Sequence, residues 1–244
     1  MSKIAELAAR WNACGIERGD TVLLHSSARR TLNDHNIGPH ELLRSFREAL
    51  GEEGTLILPT FTFRCAHGEP FDQRNTESEM GLLGRTACNL GHFWRSRHPV
   101  YSVCAWGRLA RDVAATSATQ AFGENTVFEL LLGVDGKIAV LDLDDQSSMT
   151  FYHHIEYVVG VSYRATKSFI SGEQAFRLFV HGDGAETHVN PMGEKLWAAG
   201  LYKGDRPHID SGLRTIRARD MFDVVARVIR DGRAEGLLYR RVTK

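Results

Sequence analysis

Two hydrophobic rhythms divide this chain. Short apolar runs punctuated by Ser, Thr, Gly or Pro read as buried strands at Thr21–His25, Thr55–Pro59, Tyr101–Trp106 and Lys137–Leu143. Between them the period lengthens to that of a helix. Ser2–Ala13 is closed by Gly15, and Pro39–Leu50 has proline in its first turn and Gly51 at its end. Leu82–Phe93, Leu109–Ser117, Thr126–Leu132 and Ser148–Val159 complete the helices of this region. The rhythm then drops to two. Tyr163–Ser171 and Gln174–His181 alternate like paired strands around Gly172, and Glu194–Gly200 and Arg219–Arg230 are helical again. Strands alternating with helices over the first two thirds predict an α/β fold. Its centre is a mixed sheet flanked by helices, and its C-terminal third contains a β-hairpin. Neither a repeat nor an interdomain linker interrupts the pattern, so one domain over residues 1–244 is expected.

The segment Lys137–Glu156 carries the most specific chemistry. Asp144–Ser147 is the polar exit of its strand, and Ser147 or Ser148 can cap the helix that follows. In that helix His153 and Glu156 are three residues apart and share a face, with Thr150 one turn earlier. A carboxylate that orients and polarises an imidazole makes it a general base near neutral pH. Open α/β sheets bind ligands just past the carboxyl ends of their strands, which is where this helix begins. Taken alone, the same spacing also suits an ordinary helix holding a hydrogen-bonded histidine.

Composition removes several function classes. Hydrophobic residues make up 43% of the 244, enough for a sizeable core. Thirty basic and thirty acidic residues cancel without a long like-charge run, which argues against nonspecific nucleic-acid binding. No apolar stretch is long enough for a membrane span, and the amphipathic start is unlike a signal peptide. Cys14, Cys65, Cys88 and Cys104 lack the paired spacing of a zinc site and read as reduced thiols of a cytoplasmic protein. His153-His154 with Glu156 misses the HExxH spacing, so no metal is expected. No GxSxG elbow or complete P-loop is present, and His181 and His188 read as surface groups beside a turn.

Five ordered blocks then narrow the choice. They are His25-Ser26-Ser27 after a strand, Gly54–Thr62, Phe71–Gly81, Arg95–Gly107, and Thr150-x-x-His153-x-x-Glu156 after an apolar strand. In this order and over roughly residues 20–160 the chain resembles the aminoglycoside 3-N-acetyltransferase family. Its last third is only loosely similar. The resemblance implies acetyl-CoA as acyl donor and a small-molecule amine as acceptor; antibiotic resistance is associated with the family but does not follow from membership alone. It places His153 at the catalytic histidine position, with Glu156 as its supporting acid. Thr150 would lie beside the thioester as an oxyanion donor, or serve as a cap or packing residue. The HSS and RSxHPxxS blocks belong to the family's CoA-binding walls, which brings in Ser26, Ser27, Ser96, His98 and Ser102.

An aminoglycoside is a polycation, and Asp72, Glu79, Asp144 and Asp145 are the acidic candidates for holding it. Leu143-Asp144-Asp145-Gln146 stands where the family has small, glycine-rich residues. That departure keeps a biosynthetic amino sugar or small amine open as the acceptor. A CoA-binding protein without efficient catalysis is the alternative from another class, and the homodimeric state is left open.

Overall fold

The computed structural model describes residues 2–182, 184–206 and 212–242. Its strands are β1 (Thr21–Ser26), β2 (Thr55–Pro59), β3 (Trp94–Arg95), β4 (Val103–Gly107), β5 (Lys137–Leu141), β6 (Arg164–Ser171), β7 (Gln174–His181), β8 (Ala185–Thr187), β9 (Lys203–Gly204), β10 (Leu213–Arg217) and β11 (Tyr239–Arg241). The helices are α1 (Lys3–Ala13), α2 (Arg29–His35), α3 (Pro39–Leu50), α4 (Gly81–Cys88), α5 (Ala110–Ala114), α6 (Val127–Gly133), α7 (Phe151–Val159), α8 (Asn190–Ala198) and α9 (Ala218–Arg230).

Seven strands form one mixed sheet in the order β3-β4-β2-β1-β5-β10-β9. The expected α/β architecture is therefore the one found, with β6 and β7 pairing as the hairpin. Only β2, β1 and β5 run parallel; β4 on one side and β10 on the other are antiparallel to their neighbours. The pleat sorts each strand between two cores. Leu23, Ile57, Ile138 and Val140 face a layer that includes Phe128, Phe151, Ile155 and Val225. Val22, Leu24, Leu56, Ala139 and Leu141 face Leu7, Trp11, Leu42 and Phe46.

Several boundaries move, each for a local reason. β4 starts at Val103 rather than Tyr101 because His98 Nδ1 accepts the N–H groups of Val100 and Tyr101, which therefore cannot join a ladder. α7 starts at Phe151 because Ser148 donates its hydroxyl to Asp144 O and belongs to a separate turn. Neither Ser147 nor Ser148 caps it, and Thr150 occupies the cap position without a capping side-chain bond. α4 ends at Cys88; Asn89 and Gly91 follow in tight turns instead of a further helical stretch. α8 begins early, at Asn190, helped by Pro191 in its first turn. Strand β5 stops at Leu141 because Asp142 adopts a left-handed conformation (φ 56°). Its carboxylate then accepts Thr31 N–H and Oγ1–H, which pins α2. Neither α2 nor β10 is evident in the sequence pattern.

Candidate active site

β1 is where the strand order reverses, because β2 lies on one side of it and β5 on the other. Such a switch point leaves a crevice beyond the carboxyl ends of the strands. Here it measures about 750 Å³ and is lined by His25, Ser26, Ser27, Arg29, Pro59, Glu79, Gly81, Gly84, Arg85, Leu143 and Ser147, among others. Gly81 has φ +69° and open space where a Cβ would point, while a Cβ at Gly84 would meet Pro59 O at 2.7 Å. Gly84 lets α4 lie close against β2 along one wall, and Gly81 supplies the left-handed turn that starts the helix. Buried His25 presents an Nε2 with no protein partner. Burial, then the charge of Arg214, pushes its pKa down to about 3, so the ring is neutral at pH 7. A neutral imidazole with an unused nitrogen can hydrogen-bond an occupant of the crevice.

His153 sits in the first turn of α7, with its ring edge-on to Phe122 at 6.0 Å. Its Nδ1 is 2.9 Å from Glu156 Oε2. Glu156 is fully buried and is held from three sides. Tyr163 donates its hydroxyl to Oε1 at 2.9 Å, and the Arg164 Nε lies 2.7 Å from Oε2 as an ion pair. Burial pushes the Glu156 carboxyl up, but the His153 hydrogen bond and the nearby charges outweigh it, so the pKa falls below its ordinary value. An ionised Glu156 fixes the tautomer. Nδ1 carries the proton and donates, and Nε2 keeps its lone pair. Burial, followed by the repulsion of Arg164, lowers the His153 pKa against the opposing pull of Glu156. The imidazole is thus neutral and basic at pH 7. Thr150 is half-buried one turn before it.

The remaining candidates separate. Ser26, Ser27 and Glu79 meet in the crevice, whereas His153 is not among its lining residues. A row of rings bridges the gap. Phe61 packs on Tyr101 at 4.9 Å, Tyr101 on Phe122 at 5.2 Å, and Phe122 on His153, while Glu79 N–H donates to Phe61 O. Ser96, His98 and Ser102 are buried away from the crevice. Ser96 Oγ accepts Val103 N–H, and Ser102 bridges Arg95 to Thr60 O. They hold the loop before β4. Asp145 is also buried, with Arg214 on Oδ1 and the hydroxyls of Tyr152 and Tyr202 on Oδ2. Asp144 is half-buried and accepts Ser147 N–H and Asn190 Nδ2–H. Asp72 is exposed and accepts the N–H groups of Arg74 and Asn75. Glu79 clamps Phe63 N–H and Arg64 N–H beside the crevice.

Tyr163 and Arg164 are the residues that the sequence pattern does not single out. Arg164 Nη2 reaches His181 Nε2 and Thr187 Oγ1 at 3.1 and 2.8 Å, which makes His181 part of this network rather than a surface group. The only local signal was an arginine opening an alternating strand, a position where charge usually faces water.

Among the described residues, no group of three His, Cys, Asp or Glu could hold a metal, and no helix is long and apolar enough to cross a membrane. The family model of aminoglycoside 3-N-acetyltransferases matches residues 23–230. Aminoglycoside N(3)-acetyltransferase IV of Salmonella sp. is 27% identical over 163 residues, covering 65% of this chain and 60% of that protein. Aminoglycoside N(3)-acetyltransferase III of Serratia marcescens is 26% identical over 185 residues, with 66% of each covered. The alignments thus span less than two thirds of the length of the first relative and about two thirds of the second. A solved binary complex of AAC-IIIb with CoASH matches with TM-score 0.77 at 18% identity, covering 95% of this chain and 97% of that one. The apoenzyme of aminoglycoside acetyltransferase AAC(3)-IVa matches with TM-score 0.78 at 23% identity, covering 93% and 89%. At these identities the solved structures speak for the fold. The match of the family model over most of the sequence places the chain in the aminoglycoside 3-N-acetyltransferase family.

Proposed function

We propose that this protein transfers an acetyl group from acetyl-CoA to an amine of an aminoglycoside or similar amino sugar, with His153 as general base. The observation that carries this reading is the pairing of half-buried His153 with fully buried Glu156, 2.9 Å apart, in which Glu156 holds Nδ1 and leaves Nε2 free. An ammonium cannot attack a carbonyl, so Nε2 would keep the acceptor amine deprotonated or take its proton as the bond forms. A base so placed contributes about 10²–10⁴ in rate. Glu156 would stabilise the imidazolium that results. When bound, acetyl-CoA would supply the activated acyl carbon. The switch-point crevice supports a place for it, with the Ser26 and Ser27 hydroxyls, Arg29 and Arg85 as donors and His25 Nε2 as an unused polar atom. Thr150 is the candidate donor toward the developing oxyanion.

A second reading has its own support. Asp145 is committed to Arg214 and two tyrosines, and neither Asp72 nor Asp144 lines the crevice, which leaves Glu79 as the one of the four acids there. Fewer acids favour a biosynthetic amino sugar or small amine as acceptor. Thiol release from acetyl-CoA, measured across aminoglycosides, amino sugars and simple amines, separates the two readings. No release with any amine, in a protein that still binds CoA, would leave a binding protein in their place.

A further inference from the structure

Cys88 closes α4, Cys104 lies in β4, and their sulfurs are 3.0 Å apart. Cys104 is 1% exposed, whereas Cys88 is only partly buried. Arg95 is paired with Cys104 across the β3–β4 ladder, and its buried guanidinium is held by Thr60 O and Ser102. The two thiols therefore share a cationic neighbour, and one of them is reachable from solvent. We propose that Cys88 and Cys104 form an oxidative modification site, at which a hydroperoxide converts the thiol pair into an intramolecular disulfide. The proposal is independent of the transferase reading.

The pair is asymmetric, as such a site requires. The hydrogen bond between the two sulfurs and the charge of Arg95 outweigh burial and bring the Cys88 pKa down to about 7. Cys104 moves the other way, because sharing its proton with Cys88 and being buried both raise it. Cys88, the partly exposed residue of the pair, is thus the attacking sulfur, and fully buried Cys104 the resolving one. In the first step the Cys88 thiolate attacks the outer peroxide oxygen and the O–O bond breaks. Cys88 becomes a sulfenic acid, and the departing alkoxide or hydroxide takes a proton from water. In the second step the Cys104 sulfur displaces hydroxide from the Cys88 sulfur. The Cys104 proton leaves with that hydroxide as water. One peroxide is reduced by two electrons and two thiols are oxidised to one disulfide. A covalent S–S distance is about 2.05 Å, so the sulfurs approach by about 1 Å. The bond would tether α4, whose Gly81, Gly84 and Arg85 line the crevice, to the sheet.

The test is stoichiometric hydrogen peroxide added to the wild-type protein at neutral pH, with glutathione as a parallel control. The expected result is an intact mass lower by two hydrogens and a fall in thiols titrated under denaturing conditions from the four of the sequence to two. Peptide mapping should join Cys88 to Cys104 and leave Cys14 and Cys65 reduced. In Cys104→Ser, dimedone should label Cys88 as a persistent sulfenic acid; in Cys88→Ser, peroxide consumption should drop to the glutathione rate. Four titratable thiols after the glutathione control is fully oxidised would overturn the proposal. So would a disulfide joining any other pair.

Discussion

At the scale of single residues, the proposed chemistry rests on one imidazole nitrogen. His153→Ala should lower kcat by about 10²–10⁴ and leave CoA affinity nearly unchanged, as read by steady-state kinetics and calorimetry. Near-wild-type turnover in that variant would remove His153 as the base. Glu156→Gln should cost less, because the imidazole remains and loses only its orienting charge. The pH profile carries a sign. Burial and Arg164 hold the His153 pKa below 6.5, so the base is free at pH 7 and is lost on acidification. The acid limb of kcat/KM should therefore fall below pH 6.5. At the crevice, Ser27→Leu should weaken acetyl-CoA and CoA together without unfolding the protein. Ser102→Leu should instead lower the Tm, because Ser102 is fully buried and bonded to Arg95 and Thr60. Unchanged CoA affinity in Ser27→Leu would exclude the crevice as the CoA site.

At the scale of elements, the hairpin sets the surroundings of the proposed base on α7. Gly160 ends α7 in a left-handed conformation at φ +84°, and the chain turns back so that Tyr163 and Arg164 face Glu156. Removing the cation leaves a buried carboxylate unpaired, which costs about 3–5 kcal/mol. Arg164→Met should therefore lower the Tm, and it should also move the acid limb of kcat/KM to higher pH, because a charge that repels the imidazolium is gone. Tyr163→Phe should keep the fold and lose a smaller part of the activity. An acid limb unmoved in a folded Arg164→Met would argue against this tuning.

For the molecule as a whole, buried neutral histidines set its acid stability. Burial pushes His25 down to about 3 and His98 and His154 to about 4, against an ordinary value of 6.5. Between about pH 6.5 and pH 4 the unfolded chain binds protons that the native chain refuses, so the stability present above pH 6.5 is lost as pH falls. Each such histidine contributes a slope of about 1.4 kcal/mol per pH unit. Urea midpoints should drop steeply from pH 7 to pH 5, and His154→Gln should flatten the drop; an equally steep drop in that variant would exclude His154 as a contributor. Acceptor selectivity also belongs to this scale. If Glu79 faces the acceptor, kcat/KM for a polycationic aminoglycoside over a monoamine sugar should shrink as salt rises, because exposed charges are screened over about 8–10 Å. No preference at low salt would favour the small-amine reading.

The sequence by itself determined the strands β1, β2 and β5, the helix α7, and the His153–Glu156 spacing. The strands follow from short continuous apolar runs and the helix from a period of 3.6, both of which neighbouring residues alone impose. Its ordered blocks also determined the family. Tertiary structure decided which polar residues face the crevice. Ser26 and Ser96 read alike as serines of the HSS and RSxHPxxS blocks, yet one lines the crevice and the other closes a bond to Val103. Asp145 reads as an acid for the acceptor until β10, itself too charged to be legible, brings Arg214 against it. The same holds for Arg164, which reaches Glu156 only because the hairpin folds back over α7. A buried ion pair leaves no periodic trace in the chain, since its two halves acquire each other only through packing.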